Sequence, residues 1–359
     1  MLRKKFSKKQ ILILSLAFII APALCALTFF LKGEKPRELY KLQLEAAEKM
    51  QACMDEIKSE KLSRGISIPE EDTYETGMIG ESFNFITTTM GDIASKRTSA
   101  NADMAALLVV MFNEAGLKGG DTLACNFSGS FPALNIATIC AAEAMDITPV
   151  YIASCGASTW GANNPGLSFP EMAAVLYDKG LIKHTPALVT MGGGDDVGKG
   201  IDAEEFAAVW ERALELGYPT LIEEDFAANV SARKNLFDAA GAKAFIAVGG
   251  NITSTGGSMI ADGIGQGIIT ENIYSISDSS GLIERYVYEG TKTMLLLNIR
   301  QLVADYGMSF DSAPSTPIGT GSIYRETTYQ LWIIYVMLAI ELGLLISYKC
   351  ISKNEKTKV

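Results

Sequence analysis

TLACNFSGSFPALNIATICAAEAMDITPVYIAS, residues 122–154, is the stretch whose reading decides the fold. Residues 122–127 form a short apolar run that reads as a buried strand. Ser128-Gly129-Ser130 follows as a polar turn. Pro132 suits the first position of a helix, and residues 132–145 are apolar on most faces. Residues 149–154 then read as a second strand. Two apolar strands joined by a helix predict a parallel pair covered on both faces.

The same alternation extends in both directions. Further strands are expected at 83–88, 187–191, 220–223, 244–249 and 293–298, with helices at 102–115, 169–179, 203–216 and 231–239. The expected fold class is therefore α/β. It is a Rossmann-like, mostly parallel sheet with helices on both faces, spanning 74–311. Residues 35–61 carry apolar side chains at helical spacing and read as an amphipathic helix. It either extends as a stalk within 32–73 or packs on the domain. Residues 312–328 read as a linker.

Both ends of the chain are apolar. ILILSLAFIIAPALCALTFFL within 10–31 and YQLWIIYVMLAIELGLLISY at 329–348 each have about the 20 residues needed to cross a hydrocarbon core. Basic residues flank them on the outer sides: Arg3, Lys4, Lys5, Lys8 and Lys9, then Lys349, Lys353, Lys356 and Lys358. Such residues stay cytoplasmic. The termini at 1–9 and 349–359 are therefore expected inside, and the α/β domain outside the cytoplasmic membrane. Ala21-Pro22-Ala23 has the small-x-small pattern of a cleavage site, but the apolar run continues to Leu31. An uncleaved anchor is the expectation. Glu341 sits in the second span, where it either meets a partner subunit or snorkels outward.

The middle of the chain keeps 22 basic against 39 acidic residues, a net of −17. That balance disfavours nucleic acid and anionic lipid as partners. An outside location removes ATP and NAD, so no cofactor is expected. His184 is the only histidine, and no CxxC occurs among the six cysteines, so no metal is expected.

The glycine-rich and polar residues follow the expected strands: Ser128-Gly129-Ser130, 155–164, Gly192 to Asp196, and Gly249-Gly250-Asn251. In an open parallel sheet these loops meet at one edge, where ligands bind. Ser128, Ser158, Gly193, Asp195 and Asn251 are expected around one cleft. Ser128 is not in a GxSxG elbow, and a triad would have to use His184 at the opposite edge. Residues 193–200 approach a P-loop, but Gly200 replaces the required hydroxyl. Asp195 and Asp196 read as either cation or acid/base groups, or as turn residues ahead of Asp202. Lys96 and Arg97 read as either a carboxylate clamp or a solvated turn.

Four segments carry a resemblance: TTTMGDIASKRTSANADMAALLV (87–109), GDTLACNFSGSFPALNIA (120–137), SCGASTWGANNPGLSF (154–169) and MGGGDDVGKGID (191–202). In this order they resemble the poly-γ-glutamate system protein family, membrane proteins that accompany capsule synthesis and export. The resemblance implies an accessory component that binds poly-γ-glutamate or glutamyl oligomers, beside the membrane subunits of a synthase or exporter. The expected ligand-binding set is Arg97, Ser128, Gly129, Ser130, Ser158, Trp160, Asn163, Gly193, Gly194, Asp195, Lys199 and Asn251. One alternative is a γ-glutamyl hydrolase or transferase using Ser128 or Ser130 with Asp195 and Asp196. Another is a scaffold for synthase subunits. The resemblance supplies no catalytic residue.

Overall fold

The computed structural model describes residues 6–257 and 265–356. In chain order its elements are α1 (Lys8–Phe30), β1 (Gly33–Pro36), α2 (Tyr40–Ser63), α3 (Ile93–Ser99), α4 (Asp103–Glu114), β2 (Thr122–Phe127), α5 (Pro132–Ala144), β3 (Thr148–Ser154), α6 (Phe169–Asp178) and β4 (Leu188–Thr190). There follow α7 (Ala203–Glu215), β5 (Thr220–Leu221), α8 (Phe226–Ala239), β6 (Ala244–Val248), α9 (Ile252–Thr255), β7 (Gly267–Ile268), α10 (Leu282–Tyr288), β8 (Lys292–Leu296), α11 (Ile299–Asp305), β9 (Arg325–Thr328) and α12 (Leu331–Lys356). They form two units, one made of both chain ends and one running from Glu38 to Tyr324.

In the first unit, α1 and α12 are each long and apolar enough to cross a membrane. Their large side chains point outward: Phe18 is 81 % exposed and Tyr335 67 %. Water does not reward such a surface, whereas hydrocarbon does. Ser7 and Gln10 form a capping box at the start of α1. Beyond the helices, β1 and β9 pair antiparallel, with Lys35 and Glu326 bridged at 2.9 Å.

The second unit is built on a seven-stranded sheet of order β5-β4-β3-β2-β6-β8-β7, parallel except for β7. Alternate residues of each strand serve opposite faces. Leu123, Cys125, Phe127, Ile246 and Val248 join one core with α2, α4 and α5, whereas Ala124, Phe245 and Ala247 join another with α8 and α10. The chain steps outward from β2 through β3, β4 and β5, then crosses back to place β6 on the other side of β2. That reversal opens a crevice beyond the strand C-termini.

Three expectations need correction. Residues 83–88 are not a strand. Asn84 N–H donates to Thr87 Oγ1 and Asn84 Oδ1 accepts from Ile86 N–H, a side-chain turn, and the segment's ladder pairing is an isolated bridge from Thr87 to Ala157. Of the two readings of the helix within 32–73, packing on the domain holds and the stalk does not. Ala46, Ala47, Met50, Cys53, Met54 and Ile57 of α2 are buried against α4 and α5, so a boundary at 74 cuts a packed layer. The stretch read as a linker from 312 is likewise docked up to Tyr324, whose hydroxyl donates to Asp103 Oδ1 at 2.8 Å. β7, only two residues long, was not anticipated.

Candidate functional site

Beyond the C-terminal ends of β2, β3, β4, β6 and β8 lies a cleft of about 520 Å³. Ser128 and Ser130 come from the turn after β2, Ser158 from the loop after β3, and Gly192 to Asp195 with Lys199 from the loop after β4. Gly250 and Asn251 follow β6. Thr88 to Asp92, Ser95 and Lys96 close the remaining side. Ser128, Ser130, Ser158, Gly193, Gly194, Asp195, Lys199 and Asn251, all expected from the sequence, thus line one cleft.

The serines form a connected set. Ser128 Oγ donates to Ser130 Oγ at 2.9 Å, and Ser158 N–H donates to the same oxygen at 3.0 Å. Gly129 N–H donates to Ser154 Oγ at 3.1 Å, placing Gly129 behind the lining. Gly161 must lack a side chain, because a Cβ there would lie 2.8 Å from both Ser130 Cα and Ser130 O. The loop after β4 is held by left-handed backbone at Gly192 and Gly193 (φ +75 and +74) and at Asp195 and Asp196 (φ +54 and +66).

Lys96 is the principal residue that sequence reasoning missed as an individual. Its helix α3 turns it into the protein, where it is 3 % exposed. Its Nζ donates to Ser130 O and, at 2.9 Å, to Ser158 Oγ, and it lies 3.6 Å from the centre of the Phe131 ring. Burial pushes its ammonium down to about 7, against the opposing pull of Asp92. Its one sequence signal was the basic pair it forms with Arg97.

The remaining expected residues take other roles. Arg97 grips Asp311 through Nε and Nη2 at 2.7 and 2.6 Å, away from the cleft lining. Asn163 is fully buried, accepting from Glu81 N–H and donating to Glu81 O, and so fixes one loop to another. Trp160, at φ +65, packs partly against the core. Asn251 lines the cleft but spends Oδ1 on capping α9 at Thr253 N–H. Asp195 accepts from Lys199 Nζ at 2.6 Å on the exposed rim.

Asp196 faces inward instead. It accepts from Thr190 Oγ1 at 3.0 Å and pairs with Arg233, which also donates to Asn126 Oδ1 at 2.7 Å and Asn229 Oδ1 at 2.8 Å. Burial pushes the Asp196 carboxyl up and the Arg233 guanidinium down, while their mutual attraction opposes both shifts. Asp195 and Asp196 therefore do not act as a pair on the serines. His184 bonds Glu143 through Nδ1 at 2.7 Å, ahead of β4 and outside the cleft lining. Among the described residues no three His, Cys, Asp or Glu side chains gather as a metal site.

The cleft thus offers hydroxyl donors and one buried amine, with Phe131, the residue before α5, in its lining. Its titratable lining groups, Lys96 and Lys199 against Asp92 and Asp195, are balanced in sign when Lys96 is protonated. Comparison with protein-family models, curated proteins and solved structures finds no match to the chain.

Proposed function

We propose that this protein is a membrane-attached component of a poly-γ-glutamate synthesis or export system. Its α/β domain stands outside the cytoplasmic membrane and binds glutamyl chains in the strand-end cleft. One observation carries the reading. The four segments that resemble the poly-γ-glutamate system family are far apart in sequence, yet all four contribute to this single cleft: Thr88 to Lys96, Ser128 to Phe131, Ser154 to Ser158, and Gly192 to Lys199. A resemblance confined to framework residues would not converge so.

The reversal of strand order beside β2 supports a Rossmann-like reading of the sheet and gives the cleft its place. Basic flanks outside both apolar helices support the outward orientation of the domain. The two helices would also bring the domain beside the membrane subunits that make or export the polymer. A carboxylate would be met by the Ser128 and Ser130 hydroxyls and Lys96. Hydrogen bonds involving a charged group contribute about 1.5–3 kcal/mol each. Binding therefore rests on a few fixed donors and not on a basic surface.

Calorimetric titration of the full chain in detergent micelles with γ-linked oligoglutamate tests this. Saturable binding at one site per chain is expected, and polyphosphate of equal charge should not reproduce it. No heat, or equal binding of both polyanions, would overturn the proposal.

A further inference from the structure

Lys96 and Ser158 come from segments 62 residues apart and meet in the cleft at 2.9 Å. Burying a lysine without a carboxylate partner is costly. Lys96 nevertheless bonds only a hydroxyl and a carbonyl here, with Asp92 nearby. A purely structural role would be filled more cheaply by an apolar side chain over Phe131. An amine that readily loses its proton, held against a serine oxygen in an open cleft, is instead the arrangement that activates a hydroxyl.

We infer that Ser158 is a nucleophile and Lys96 its general base, in an acyl-transfer site acting on amide bonds of the γ-glutamyl kind. The choice of γ-glutamyl amide rests on the function proposed above; the dyad itself does not. Neutral Lys96 keeps an N–H on Ser130 O and turns its lone pair to the Ser158 hydroxyl. Ser158 Oγ attacks the amide carbonyl carbon as its proton passes to Lys96 Nζ. The C–N bond breaks, and the leaving nitrogen takes that proton. Water then attacks the Ser158 ester, giving its proton to Lys96, and Ser158 regains a proton as the acid leaves. One amide and one water become one acid and one amine. An acceptor amine in place of water makes the same sequence a transfer.

Ser158, not Ser128 or Ser130, is the nucleophile because its oxygen is the one that Lys96 Nζ touches. Ser130 Oγ is occupied by the Ser128 hydroxyl and Ser158 N–H, whereas the Ser158 hydroxyl makes a long bond to Thr159 O at 3.4 Å, which it gives up to face the Lys96 lone pair. The burial that lowers Lys96 to about 7 makes the free amine available near neutral pH. The charged groups around it are Asp92 on its own helix, Asp195 and Lys199 on the loop after β4, and Arg300 on α11, which acts on Asp92. The turns after β2 and β6 contribute no titratable side chain to the lining: Ser128, Ser130 and Phe131 from the first, Gly250, Asn251 and Ile252 from the second.

A fluorophosphonate probe tests the dyad without assuming a substrate. The full chain in detergent micelles is labelled between pH 5.5 and 8.5 and mapped by peptide mass. Labelling is expected at Ser158, with a rate that rises through a midpoint near 7, and none is expected in Ser158→Ala. Lys96→Arg keeps the positive charge but forms no free amine. Its labelling rate should fall at least tenfold, and Lys96→Met provides a second variant should Arg not fit. A structural lysine would be rescued by Arg. Absence of label at Ser158, or an unchanged rate in Lys96→Arg, would overturn the inference. A parallel incubation with γ-linked oligoglutamate, scored for binding and chain shortening, separates the two proposals. Label at Ser158 without binding or shortening leaves the dyad and removes the glutamyl reading. Binding without label does the reverse.

Discussion

Lys96 and Arg97 are neighbours in sequence, yet the first is buried in the cleft on Ser158 and the second pairs with Asp311 outside its lining. A single residue step around a short helix separates a site residue from a structural one. Arg97→Ala should therefore leave oligoglutamate binding unchanged and cost only about 0.5–1 kcal/mol of stability, since both partners are partly exposed. The Asp311 carboxyl is held below its ordinary range by the Arg97 hydrogen bond. Its contribution is present above the unfolded value and is lost as pH falls through the folded one. The difference in thermal unfolding between the parent and Arg97→Ala should be smaller at pH 3 than at pH 7.

The Asp196–Arg233 pair behaves differently because it is buried. Removing one partner leaves the other charged and unpaired, which typically costs about 3–5 kcal/mol. Arg233→Ala and Asp196→Ala should each lower the unfolding midpoint sharply. Replacing both charges, as in Arg233→Met with Asp196→Asn, which tolerates the left-handed backbone at that position, should recover part of the loss. A double variant as unstable as the sum of the single ones would contradict a paired role.

Lys96 carries a pH dependence of opposite sign to the usual lysine. Its folded value lies near 7, well below the unfolded one. Between those values the unfolded chain binds the extra proton, so stability rises with pH across that window. Lys61, lowered to about 8 by burial, adds the same trend above pH 8. Lys96→Met should raise the unfolding midpoint more at pH 6 than at pH 9.5, while abolishing reaction at Ser158. An equal effect at both pH values would mean that Lys96 is not held at a lowered pKa.

Gly161→Ala should act on both fold and site. The added Cβ meets backbone atoms of Ser130 and Gly129 at 2.8–2.9 Å, which cannot rotate away. Overpacking of this kind costs about 1–3 kcal/mol. The displaced Ser130 carbonyl would also release Lys96, so probe labelling should fall in protein that is still folded.

Much of this was legible in the sequence, for particular reasons. Strands β2, β3, β4, β6 and β8 are apolar runs with polar turns after them, and a parallel sheet requires both features. Ser128, Ser158, Gly193, Asp195 and Asn251 could be grouped because each follows a strand, and strand ends share an edge. Phe83 and Phe85 misled because alternating aromatic residues imitate a strand, whereas here they are 69 % and 55 % exposed beside a side-chain turn. Trp160 and Asn163 look like ligand residues, but Asn163 is consumed by Glu81. Lys96 stayed hidden because burial of a lysine is created by Ser130, Phe131 and Ser158, none of them near it in the chain.

Orientation has its own test. With Cys25 and Cys350 replaced by serine, a membrane-impermeant maleimide on intact cells should label Ala313→Cys. Lys356→Cys should be labelled only after lysis. The reverse pattern would place the cleft inside the cell.

The central claim is that glutamyl chains occupy the cleft at the strand ends. The most direct measurement is photo-crosslinking of the full chain with γ-linked oligoglutamate carrying a terminal diazirine, followed by peptide mapping. Adducts are predicted on the peptides containing Met90 and Gly192 to Lys199, and unlabelled oligomer should suppress them. Adducts only at other surfaces, or adducts that unlabelled oligomer does not displace, would contradict the account.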